Sequence, residues 1–211
     1  MMTARHASIL MMTICIASAM LFGCAASTKY TSQFYVLNAM EYPQKAGTEA
    51  CREARTISIC IGPVNLPKYL DRPQIMTRVN NNELKLSELH LWAEPLKDNV
   101  TRVMAQNLRQ LLCADIKMFP WTGSEQTDYR LSARLIRLDG APGGEAFLDV
   151  QWTITDQRTE KHIYTKESRF TEPVGSNSYD SLVSAYSRLL ASFSKEFADT
   201  FTSVSQGKSA L

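Results

Sequence analysis

The chain has 211 residues, 45% of them hydrophobic and 21% charged, with a formal net charge of +2. That length suits one domain with a sizeable core, and a near balance of charge without a basic block argues against nucleic acid as a partner.

Arg5 and His6 stand in the short opening stretch, and an apolar run from Ala7 to Phe22 follows. A basic start, a short apolar core and a small residue before the cut form a secretory signal, and the run is too short to cross a bilayer comfortably. Leu21-Phe22-Gly23-Cys24 resembles the bacterial lipobox. The resemblance implies cleavage between Gly23 and Cys24 and acylation of Cys24, with several acyl chains giving an anchor that one would not. Residues 1–23 are then a lipoprotein signal peptide and residues 24–32 a lipidated tether. Ala25 stands where an enterobacterial inner-membrane retention signal would have Asp, which favours the outer membrane, on its periplasmic face.

Cys15 leaves with the signal and Cys24 carries lipid, so Cys51, Cys60 and Cys113 meet an oxidising compartment. Three thiols allow three pairings. Nearness in sequence favours Cys51 with Cys60, while Cys113, beside Leu111 and Leu112, reads as a small buried apolar residue.

Gln33–Asn38 is a short β-rich run, and residues 41–54 read as a loop. Thr56–Val64 alternates as a strand, with Ile57, Ile59 and Ile61 on one face and Ser58 and Cys60 on the other. Prolines at 67 and 73 frame an ordered connection predicted to be extended. Gln74–Asn80 and Glu83–Leu89 form a hairpin around Asn81-Asn82, a pair that tolerates positive φ in a tight turn. Pro95 opens a helix whose apolar face is Leu96, Val100, Val103, Met104, Leu108 and Leu111.

Ile116–Phe119 is a short strand. Three longer strands follow, at Asp128–Asp139, Glu145–Asp156 and Lys161–Glu172, the last with the pattern of an edge. A final helix, about Ser178–Ser203, carries an apolar stripe from Tyr179 through Leu182, Tyr186, Leu189 and Phe193 to Phe197. The domain thus spans 33–205, with a frayed tail at 206–211. The expected fold is a single α/β domain: a mixed β-sheet with two main helices packed on it.

No catalytic constellation emerges. The sequence has no G-x-S-x-G elbow and no P-loop, and neither His90 nor His162 has metal-ligand spacing, so no metal and no cofactor is expected. His90, alternating with Leu89 and Leu91, is expected to face water at a strand end, and His162 follows Lys161 just after a turn; both read as structural rather than catalytic. Asp71-Arg72 is the most unusual charge pair, set where a rigid backbone could present it.

The segment Gly62-Pro63-Val64-Asn65-Leu66-Pro67-Lys68-Tyr69-Leu70-Asp71-Arg72-Pro73-Gln74-Ile75-Met76-Thr77-Arg78 resembles the signature of the ABC-type transport auxiliary lipoproteins, the PqiC/YmbA-type intermembrane transport lipoproteins. Tyr35-Val36-Leu37, Trp92-Ala93-Glu94-Pro95-Leu96, Phe119-Pro120-Trp121, Asp128-Tyr129-Arg130 and Val150-Gln151-Trp152 continue the likeness. The resemblance implies a fold like the amino-terminal domain of TolB. It also implies a non-catalytic accessory role beside a periplasm-spanning MCE-domain protein and its inner-membrane partner, moving lipid between membranes.

Within the signature, Tyr69, Asp71, Arg72, Gln74 and Arg78 are the candidate partner interface, since Tyr and Arg are enriched at interface hot spots. The partner would be the MCE protein or a second copy of the chain. The competing expectation is a periplasmic carrier that holds lipid in its own apolar pocket, which needs several hundred Å³. The broad stripes of both helices argue against it.

Overall fold

Alternating apolar positions build the strands, and apolar positions at a period near 3.6 build two helices that cover them. The computed structural model describes residues 31–41, 51, 57–118 and 127–208. The signal peptide, Gly23, Cys24, most of the 41–54 loop, Phe119-Pro120-Trp121 and residues 209–211 lie outside the described residues. In chain order the elements are β1 (Gln33–Tyr35), β2 (Ser58–Asn65), β3 (Gln74–Arg78), β4 (Leu84–Trp92), α1 (Leu96–Leu111), β5 (Asp115–Met118), β6 (Tyr129–Gly140), β7 (Glu145–Asp156), β8 (Lys161–Pro173) and α2 (Tyr179–Lys208).

The strands divide between two mixed sheets. One has the order β1-β4-β3 and the other β5-β2-β6-β7-β8. The sheets meet where β3 lies beside β6. β2 runs parallel to both β5 and β6, whereas β6, β7 and β8 form an antiparallel meander. As expected, β8 is an edge.

The helices share one face of the larger sheet. α1 packs on β2 and β5, α2 on β7 and β8, and the two helices pack on each other. Trp152, Phe193 and Phe197 are fully buried there, with Phe193 and Phe197 rings edge-on to Trp152 at 6.0 and 5.7 Å. Trp152 donates its indole N–H to Ser168 Oγ at 3.0 Å, and Ser168 in turn hydrogen-bonds Glu196. The smaller sheet meets the first half of α2, where His90 stacks on Tyr179 and Trp92 approaches Tyr186.

Several local expectations are corrected. The hairpin between β3 and β4 exists, but its register closes at Arg78 and Leu84. Its loop is held by side chains: Asn82 N–H donates to Asn80 Oδ1 and Asn80 Nδ2 donates to Glu83. Among the described non-glycine residues only Glu160 has positive φ, so Asn81 and Asn82 do not use the left-handed region.

In β2, Cys60 is as buried as Ile59 and Ile61. The strand is interior, and Lys117 and Arg130 stand opposite Cys60 on its two neighbours. Glycine is needed at Gly62, whose φ is 119° where the β2–β6 register shifts.

The cysteine pairing also differs. The structure joins Cys51 to Cys113 across a sequence separation of 62 and leaves Cys60 free. Cys113 is exposed just beyond α1, where a sulfur can be reached. Cys60 sits in mid-sheet, and burial, against the pull of Arg130 and Lys117, pushes its thiol up to about 11.

Candidate partner-binding surface

The proline-framed segment is turned, not extended. Proline removes a donor but keeps its carbonyl. Pro67 O accepts from Leu70 N–H at 2.9 Å, Asp71 N–H reaches Lys68 O at 3.3 Å, and Arg72 N–H reaches Leu70 O at 2.9 Å. Extended backbone could not close these bonds. The turn sorts the side chains: Leu70 and Ile75 are buried and Tyr69 packs half-buried on the core, whereas Asp71, Arg72 and Pro73 face solvent.

Pro73 O accepts from Trp92 N–H at 2.7 Å, fixing the segment to the end of β4. Ala93 N–H donates to Tyr35 O at 2.9 Å, and Pro95 O accepts from Asp98 and Asn99 as α1 begins. A cleft of about 370 Å³ opens between these parts. Asp71, Arg72 and Pro73 form one wall, and Trp92, Ala93, Glu94, Pro95 and Leu96 the other. Glu94 is paired with Arg102 at 2.6 Å. Among the described residues Asp71 and Arg72 have no ion-pair partner, which leaves both charges available.

Beneath the segment lies a polar cluster the sequence did not reveal. Asp139, at the end of β6, is 0% exposed. Arg78 donates to it from Nε at 2.8 Å and from a terminal nitrogen at 2.6 Å, and Arg137 donates from Nε at 2.8 Å. Burial alone would raise the Asp139 pKa, but hydrogen bonds and charge from Arg78 and Arg137 outweigh it and hold the carboxyl below the ordinary range. Arg137 also lies 3.9 Å over the Phe147 ring. Burial first, then Asp139, raises the Tyr69 phenol.

The five candidate interface residues therefore divide. Asp71 and Arg72 are presented outward. Gln74 is half-buried opposite Leu91, Tyr69 braces the turn, and Arg78 is taken up by Asp139 and by Asn80 O and Asn81 O. Arg78 is thus corrected from surface contact to internal tie.

The histidines are corrected in part. His162 is exposed, with Nδ1 2.9 Å from Thr155 Oγ1. His90 instead stacks on Tyr179 at 3.8 Å with Nδ1 2.8 Å from Tyr35 Oη, and burial lowers its pKa. Among the described residues no group of three or more His, Cys, Asp and Glu could hold a metal ion.

Two other motif pieces serve the fold. Asp128 accepts Ser58 N–H and Oγ–H at 2.8 and 2.9 Å and pairs with Arg158, while Trp152 fills the core.

The model of the family described as ABC-type transport auxiliary lipoprotein component matches residues 35–198. The chain belongs to that family. A solved structure of a Xanthomonas campestris protein assigned to the DUF330 family has a TM-score of 0.69 at 14% identity, covering 85% of this chain and 100% of its own. A second solved structure, of an uncharacterized protein, has a TM-score of 0.66 at 17% identity, covering 81% of this chain and 99% of its own. These likenesses show a shared fold. No curated protein matches this sequence.

Proposed function

We propose that this auxiliary lipoprotein is a non-catalytic, lipid-anchored subunit of an MCE-type intermembrane lipid transport system, acting in the periplasm by protein–protein contact. Its signal, residues 1–23, is cut after Gly23. Cys24 is acylated, and residues 24–32 tether the domain, which runs from 33 through the end of α2 at Lys208, to the outer membrane. The partners are a periplasm-spanning MCE protein with its inner-membrane component, and a second copy of this chain.

The family match is the observation that carries the reading, and the outward Asp71–Arg72–Pro73 edge gives it a contact surface. A carrier with an internal chamber gains no support, because Trp152, Phe193 and Phe197 fill the space between helices and sheet.

Two experiments test the reading. Cys24→Ser should abolish acylation and release a soluble form or leave an uncleaved precursor, and a variant still recovered as a cleaved, acylated membrane protein refutes the anchor. Arg72→Glu should keep the parent Tm, because Arg72 is exposed and has no ion-pair partner among the described residues, yet fail to capture the MCE protein from solubilised membranes. Normal capture by a stable Arg72→Glu protein refutes the interface.

A further inference from the structure

The surface grooves differ in their charge. The one between residues 38–41 and α2 carries both signs, with Glu172 paired to Arg188 at 3.1 Å. The cleft at Trp92–Leu96 holds Asp71 and Glu94 beside Arg72. A further groove of about 350 Å³ runs between Asn65–Lys68 and Arg134–Ile136. It is lined by two cations, Lys68 and Arg134, and by no carboxylate. Both side chains are exposed, and among the described residues neither is ion-paired.

The same groove has an apolar side. Ile136 is 44% exposed. It continues the outward phase of Ser132 and Arg134, opposite the buried Leu131, Ala133 and Leu135, so simple strand alternation sets a branched apolar side chain in water. Leu66 and Pro67 stand half-buried across from it. Two free cations beside a displayed isoleucine match a ligand that is anionic at one end and apolar at the other.

We infer that this groove binds the headgroup of an anionic phospholipid at the bilayer surface. Lys68 and Arg134 hold the phosphate, and Ile136, Leu66 and Pro67 rest against the glycerol and first acyl carbons. A free phosphate would satisfy the cations but leave Ile136 in water. A purely acidic polymer such as polyglutamate would likewise meet the cations and leave Ile136 without an apolar partner. The inference rests on the membrane-tethered reading only for bringing the domain to a bilayer, and it does not involve the Arg72 cleft.

The test uses the mature chain carrying Cys24→Ser, so that no acyl group supplies the binding. It should sediment with vesicles containing phosphatidylglycerol and not with pure phosphatidylcholine vesicles. Each basic residue near an anionic surface strengthens binding about fivefold, so Lys68→Gln with Arg134→Gln should weaken it about 25-fold. Ile136→Ser should weaken it with both cations intact, and all variants should keep the parent Tm. Three results would overturn the inference: equal binding to both vesicle types, parent-like sedimentation of the double variant, or complete displacement by inorganic phosphate or polyglutamate. MCE capture by the double variant should be normal, which separates this failure from failure of the partner reading.

Discussion

The tie between Arg78 and Asp139 offers a sharp test of how the proline-framed segment is held. Arg78→Met removes two of the three guanidinium hydrogen bonds to a carboxylate that is 0% exposed. Leaving a buried charge with one partner missing costs about 3–5 kcal/mol. Arg137 remains, and the Arg78 side chain is 23% exposed, so water can enter the vacated space and the loss should sit near 3 kcal/mol.

Asp139→Leu is milder. The arginines it frees are 23% and 27% exposed and can turn to water, which sets the loss near 2 kcal/mol. Removing both partners takes away the uncompensated charge, so the double variant should lie within about 1.5 kcal/mol of the parent. The single losses together then exceed the double loss by about 3.5 kcal/mol or more, a coupling expected only for groups in one network. Urea unfolding followed by tryptophan fluorescence reads these values, provided the slope is common to all four proteins. A loss below about 1 kcal/mol for Arg78→Met, with additive singles, would refute a buried charged carboxylate.

The depressed pKa of Asp139 sets a direction for acid. Its unfolded value is about 3.9, so its contribution is fully present above that pH and fades as pH falls through the lower folded value; unfolding free energy should drop in that acidic window and stay flat between pH 5 and 7 on this account. Asp128, which burial would raise but which Ser58 and Arg158 lower further, adds to the same slope. Mapping of non-reduced peptides should find Cys51 bridged to Cys113 with Cys60 a buried free thiol, and reduction should cost about 4 kcal/mol for a loop of 62 residues. Detection of a Cys51–Cys60 peptide would reject that pairing.

Much of the architecture was legible because long strands and helices repeat their signal. Glu145–Asp156 was read with the bounds it has, since six alternating inward positions leave no ambiguity of face. The stripe on α2 was read equally well, though the helix continues to Lys208. What escaped were effects of spatial neighbours. Alternation in β2 could not show that strands on both sides would bury Cys60. Asp139 lies past the register shift after Leu135 and is covered by Arg78 from β3, where sequence alone reads a strand end. His90 gives no local sign of a ring from a residue 89 positions later stacking on it. The candidate interface was half legible: an odd charge pair between prolines marks exposure, but nothing in the order of residues separates Arg72, which faces solvent, from Arg78, which is satisfied inside.

That separation would let one short stretch serve both the fold and the proposed partner. The prolines give up N–H donors, yet the carbonyls of Pro67, Pro73 and Pro95 all accept main-chain N–H groups from the structure around them. The path of the chain is thus fixed by backbone bonds and by Leu70 and Ile75 in the core, independently of which side chains stand at 71 and 72. Ordering such a surface costs little further entropy, so contacts that Asp71 and Arg72 make with the proposed partner would translate into affinity with small loss. Substitutions at these two positions should therefore change partner choice while the Tm holds. Substitutions at Leu70, Ile75 or Arg78 should unfold the surface before they alter what it recognises.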